Sequence, residues 1–134
     1  MWRLLLPFLL AATLLLPQAG GSKPAFTKLT PEQLKEMVEG GKKFLFLDVR
    51  KPKEIENLGT IRGFVNIPLG QLESRLKEIP KNMPIVSACN FAGLAATAAE
   101  VLAKHGYSGI SLVAMNEYKG KGYKLVYPKA GEKK

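Results

Sequence analysis

The chain has 134 residues, 46% hydrophobic and 23% charged, which fits one packed globular domain and leaves little room for two. Much of its formal net charge of +9 sits in the C-terminal stretch KGKGYKLVYPKAGEKK, and no RNA- or DNA-binding motif accompanies its Tyr123 and Tyr127 or the preceding Tyr118. That argues against nucleic acid and for a solvated basic end. A single cysteine and a single histidine exclude an intrachain disulfide and an ordinary zinc site, so no metal is implied.

In chain order, Arg3 precedes an apolar run from Leu4 to Leu16, and small residues follow at Ala19, Gly20 and Gly21. This is the layout of a secretory signal peptide over residues 1–21. A Leu4–Leu16 helix rises only ~20 Å, against a ~30 Å hydrocarbon core. Extended to Gly21 it spans marginally, so two outcomes stand. Cleavage near Gly21 exports the protein to the periplasm or extracellular space; retention makes an anchor, the only membrane contact implied. Residues 22–27 read as a linker, 28–127 as the domain and 128–134 as a basic tail.

Thr30, Pro31 and Gln33 form a helix start with N-cap, first-turn proline and capping-box partner, and Gly40-Gly41 stops that helix. Phe44–Leu47 reads as a strand buried on both faces. KPKEIENLGTIRG is polar and turn-rich, and FVNIP is a brief strand ending at Pro68. Leu69, Leu72, Leu76 and Ile79 lie along one helical stripe, broken by Pro80. PIVSAC and GISLV are strands. Between them, Leu94, Ala98, Val101 and Leu102 recur at helical spacing, predicting a helix from about Gly93 to His105. Strands alternating with helices argue for an α/β domain with a mainly parallel sheet covered on both faces.

Cys89 ends a strand at a loop that opens a helix, where open α/β sheets place ligands. The loop NFAGL brings backbone N–H groups and the positive helix end toward its sulfur, which favours a thiolate, the reactive form. Gly93 offers the backbone freedom for the curl. The competing reading is a small buried residue at a strand end. His105 lies at the far end of the helix, which excludes a Cys–His pair. Asp48 and Arg50 flank the end of the first clear strand and can orient a substrate or form a structural ion pair, with Glu54 and Arg62 completing the network. No P-loop or dinucleotide-binding glycine pattern is present, and no cofactor is implied.

Asp48-Val49-Arg50, Glu54, Gly59-Thr60-Ile61, Gly63 and Asn66-Ile67-Pro68, followed by PIVSAC and a loop into a helix, resemble a single-domain rhodanese, a sulfurtransferase. The resemblance runs from about Phe44 to Tyr123. It implies the rhodanese-like three-layer fold, with a five-stranded parallel sheet between helices. It also implies that Cys89 accepts a sulfane sulfur as a persulfide and passes it to cyanide, a thiol or a protein acceptor. The backbone amides of Asn90, Phe91, Ala92, Gly93 and Leu94 then cradle that persulfide, with Asp48 and Arg50 in support. The partners implied are a small sulfur donor, one of these acceptors and a possible docking protein.

The departures are specific. Where the family's loop has Gly, Arg and Ser, this chain has Ala92, Leu94 and Ala95; its Gly-Gly-x-x-x-Trp segment is VAMNEY, ending at Tyr118. The oxyanion-binding cation is absent from the loop, leaving Lys119 or Lys121 to supply one. A polysulfide, a low-molecular-weight persulfide or a docking protein suits such a loop better than thiosulfate. No Arg follows Cys89, which counts against phosphatase or arsenate chemistry. The expectation is a persulfide carrier or sulfurtransferase; the alternative is a non-catalytic module that binds a partner.

Overall fold

The computed structural model describes residues 26–130. The expected leader over 1–21, most of the linker and residues 131–134 lie outside that span. Five strands are formed: β1 (Thr27–Lys28), β2 (Leu45–Asp48), β3 (Val65–Asn66), β4 (Ile85–Cys89) and β5 (Ile110–Ala114). Four α-helices accompany them: α1 (Pro31–Glu39), α2 (Pro52–Leu58), α3 (Gly93–Lys104) and α4 (Met115–Gly120). The strands make one sheet in the order β1-β5-β4-β2-β3, and every pairing within it is parallel. This is the α/β sheet expected from the alternation of elements.

The core lies in two layers because successive strand residues face opposite sides. On one side Leu47, Val49, Ile85 and Leu112 pack with Ala95, Ala98, Ala99 and Leu102 of α3 and with Leu72 and Ile79. On the other, Phe46, Val86, Ala88 and Val113 pack with Leu34 of α1 and with Met115 and Tyr118 of α4. Burying each large aliphatic side chain contributes about 1.5–3 kcal/mol before the opposing entropy. The alternation puts Cys89 on the α3 side, in register with Ala114 of β5.

Helix α1 starts as its sequence dictates. The Thr30 hydroxyl accepts from the Gln33 amide at 3.1 Å, and the Gln33 side chain accepts from the Thr30 amide at 2.9 Å. Three expectations need correction. The polar stretch after Arg50 contains α2, whose start is held by a bond from the Lys51 amide to the Glu54 carboxylate, and Ile55 is its buried side chain. The Leu69–Ile79 stripe forms two 3-10 segments, Leu69–Gln71 and Glu73–Glu78, rather than an α-helix, the second kinked where Arg75 takes φ −120 and ψ 15, although Leu72 and Ile79 are still buried. Thr27, placed in the linker, begins the edge strand β1 against β5. Among the described residues no helix is long and apolar enough to cross a membrane.

Candidate functional site

Cys89 is the last residue of β4, and only 2% of its surface is exposed. The chain then curls through Asn90, Phe91 and Ala92 and enters α3 at Gly93. The curl depends on Ala92, which sits in the left-handed region with φ 70 and ψ −12. Gly93, to which sequence reasoning assigned this freedom, has no positive φ. The turn needs its unusual dihedral one residue earlier, where an alanine carries the strain.

The first amides of a helix have no intrahelical acceptor. In α3 the third of them, Ala95 N–H, donates to the Cys89 sulfur at 3.2 Å. The Ala96 amide closes the first turn onto the Ala92 carbonyl at 2.9 Å. The amides of Asn90, Phe91, Ala92, Gly93 and Leu94, expected to cradle the sulfur, find no acceptor among the described residues and none is bonded to the thiol. The donor that does reach the sulfur lies one residue beyond the expected stretch. Ala95 is pinned twice to β4, because its carbonyl also accepts from the Ser87 hydroxyl at 3.0 Å. The strand alternation that turns both Ser87 and Cys89 toward α3 is the sequence pattern that points to this residue.

Asp48 and Arg50 are almost wholly buried, at 0% and 1% exposure. The guanidinium grips the carboxylate at two points, Nε to Oδ1 at 2.9 Å and Nη2 to Oδ2 at 2.6 Å. It also donates to the Gly59 carbonyl and to the Asn90 side-chain oxygen, each at 2.8 Å. The Thr60 hydroxyl donates to Asp48 at 2.8 Å, and Asn66 Nδ2 donates to the carbonyls of Asp48 and Arg50. Every donor of this cation that the geometry uses therefore meets protein, and its charge is neutralised beside it. The network is a support for the loop.

Glu54 and Arg62 do not join the network as expected. Glu54 is turned back to the Lys51 amide, and Arg62 lies at a separate cavity. Gly59, Thr60, Asn66 and Asn90 take those places. Of the two candidate lysines, Lys119 stands beside the loop, lining a cavity of about 180 Å³ with Arg50, Leu58, Asn90, Phe91 and Met115. Lys121 is elsewhere, 3.4 Å from Glu32. His105 caps the far end of α3, 3.9 Å from Glu73. Leu94, where a family cation is usual, is 47% exposed, Ala95 is fully buried, and Tyr118 is buried edge-on to Tyr123.

A cavity of about 800 Å³ lies away from this site. It opens beside α1 and the C-terminal segment, between Val38, Ile61, Arg62, Lys124 and Tyr127, with no residue of the Cys89 loop in its wall. The smaller one adjoins the Cys89 loop through Asn90 and Phe91, although Cys89 itself is not in its wall, so the candidate site is placed by the cysteine and its loop rather than by a cavity. Among the described residues no cluster of His, Cys, Asp and Glu is able to hold a metal ion.

A family model described as Rhodanese-like domain matches residues 30–117. A Bacillus subtilis protein, YrkF, whose name proposes a role as a sulfur carrier, is 31% identical over 96 residues, covering 70% of this chain and 51% of that one. The chain spans 51% to 62% of the length of the curated relatives it matches. A rhodanese-related protein from Thermoplasma volcanium superposes with a TM-score of 0.68 at 25% identity, over 77% of this chain and all of that one. A single-domain sulfurtransferase from Saccharomyces cerevisiae gives 0.62 at 25% identity, over 75% of this chain and 94% of that one.

Proposed function

The chain belongs to the rhodanese-like family, and from that membership together with the Cys89 loop we propose that it transfers sulfane sulfur through a Cys89 persulfide. The observation that carries this reading is the row of unpaired amides from Asn90 to Leu94 beside a cysteine already held by Ala95 N–H. In the first half-reaction the Cys89 thiolate attacks the outer sulfur of the donor. A new S–S bond forms at Sγ, and the rest of the donor leaves with the electron pair of the broken bond. The terminal persulfide sulfur carries the negative charge, and oriented N–H groups favour that charge at no reorganisation cost. In the second half-reaction an acceptor takes that sulfur and Cys89 departs as thiolate. No cofactor or net oxidant is consumed.

Leu94 leaves the loop without a cation of its own, which favours a polysulfide, a small persulfide or a protein donor over thiosulfate. The same substitution supports a second reading, a rhodanese module that binds a partner without moving sulfur. The two separate by intact mass. After incubation with polysulfide or glutathione persulfide, the protein gains the mass of one sulfur atom and Cys89→Ser gains none. If no donor among polysulfide, glutathione persulfide and thiosulfate adds mass, the sulfur-transfer reading is wrong.

Export to the periplasm or extracellular space is also proposed, supported by Arg3, the Leu4–Leu16 run and the small residues before Ser22. Fractionation of expressing cells with N-terminal sequencing checks it. A mature start near Ser22 is expected, and an intact Met1 in the cytoplasmic fraction overturns it.

A further inference from the structure

The described residues leave four large hydrophobic side chains exposed: Leu58 at 36%, Phe91 at 80%, Leu94 at 47% and Tyr127 at 56%. Three of them lie on the Cys89 loop or share a cavity wall with it. Phe91 and Leu94 are on the Cys89 loop, and Leu58 shares the wall of the small cavity with Phe91 and Met115. Single exposed apolar residues need no explanation, but a group of them on and beside the loop that follows the candidate cysteine marks an interaction surface.

The cavity beside the loop, which Cys89 itself does not line, is too small for a sizeable free ligand. Its volume of about 180 Å³ equals roughly six waters at about 30 Å³ each, below the ~300–1,000 Å³ of ordinary small-molecule sites. It has room for one inserted side chain. Its charge is as restricted as its size, because Arg50 is neutralised by Asp48 and only Lys119 brings an uncompensated cation to the wall. Among the described residues Lys119 has no ion-pair partner.

Resting on the sulfur-transfer reading, we infer that the sulfur acceptor is a protein. Its cysteine is presented on an apolar segment bearing a carboxylate, which docks on the collar of Leu58, Phe91 and Leu94 with the carboxylate on Lys119. The acceptor thiolate attacks the outer sulfur of the Cys89 persulfide. The new S–S bond forms on the acceptor as the Sγ–S bond breaks, and Cys89 keeps the electron pair.

The test uses the full chain loaded with polysulfide, with loading confirmed by intact mass. Three acceptors are compared: a decapeptide with one cysteine between leucines and a glutamate, the same peptide with serines and a lysine instead, and cyanide. The leucine–glutamate peptide is expected to take sulfur at least about tenfold faster than the serine–lysine peptide. In Phe91→Ser and in Leu58→Ser the ratio of peptide to cyanide transfer is expected to fall about tenfold, and Lys119→Glu to cancel the preference for glutamate. Equal rates for the two peptides from loaded protein overturn the inference while leaving sulfur transfer standing. So does a peptide-to-cyanide ratio that neither Leu58→Ser nor Lys119→Glu moves. Failure of loading overturns both.

Discussion

Arg50 and Asn90, 40 residues apart in the chain, are joined by a 2.8 Å hydrogen bond from the guanidinium to the side-chain oxygen of the first loop residue after Cys89. A buried cation is thereby used to position the loop from below. Arg50→Ala leaves Asp48 buried without its partner and is expected to cost about 3–5 kcal/mol. Asn90→Ala removes one bond to a charged donor, a loss of about 1.5–3 kcal/mol. Urea unfolding of both variants checks the order, and Arg50→Lys should not rescue, since an ammonium cannot reproduce the fork that meets Asp48, Gly59 and Asn90 together.

The strained turn gives an opposite sign. Ala92→Gly relieves a left-handed alanine and is expected to stabilise by about 0.5–1 kcal/mol after the added flexibility of the unfolded chain is counted. Gly93→Ala should be neutral or stabilising by up to about 1 kcal/mol, because a Cβ there meets nothing within 4 Å. Thermal melts of the two variants decide the matter. A destabilised Ala92→Gly contradicts the account of the curl.

Gly59 is a glycine that leaves no room for a side chain. At φ +82 an added Cβ falls 2.9 Å from the Tyr127 ring and 3.1 Å from Leu125 Cβ. The same residue's carbonyl receives Arg50. Gly59→Ala is expected to cost about 1–3 kcal/mol and to slow sulfur loading of Cys89, read from unfolding curves and the rate of mass gain.

Burial holds the Tyr118 phenol above its ordinary value of about 10, with the charge of Glu39 adding to the effect. A raised folded value means that its contribution is complete below about pH 10 and is lost as the pH climbs through the folded value. Tyr118→Phe should therefore lose less stability than the parent protein between about pH 9 and about pH 11, measured as the shift in urea midpoint. An equal loss in both proteins removes the assignment.

Helix α1 and the β4–loop–α3 unit were legible in the chain because each announces itself locally. Thr30, Pro31 and Gln33 act within one turn, and the alanine-rich stripe of α3 follows an apolar run ending on Cys89. Helix α2 was not, because its seven residues bury a single side chain, Ile55, and display no periodicity. Strand β1 consists of Thr27 and Lys28, both exposed, and exists through backbone pairing that no side chain advertises. At the site, Cys89 could be singled out by its place at a strand end. The partners of Arg50 could not, since Asn90 is distant in sequence and Gly59 contributes only a carbonyl. Ala92 was passed over because a neighbouring glycine is the cheaper default for a left-handed turn.

The parallel sheet also gives the domain a polarity. Thr27 pairs with Ser111, whereas Cys89 pairs with Ala114, three rows further along the strands, about 10 Å at about 3.3 Å per residue. The chain thus enters the sheet at the end its strands run away from, and Cys89 sits at the end they run toward. A segment attached ahead of Phe26 therefore starts from the end of the sheet opposite Cys89.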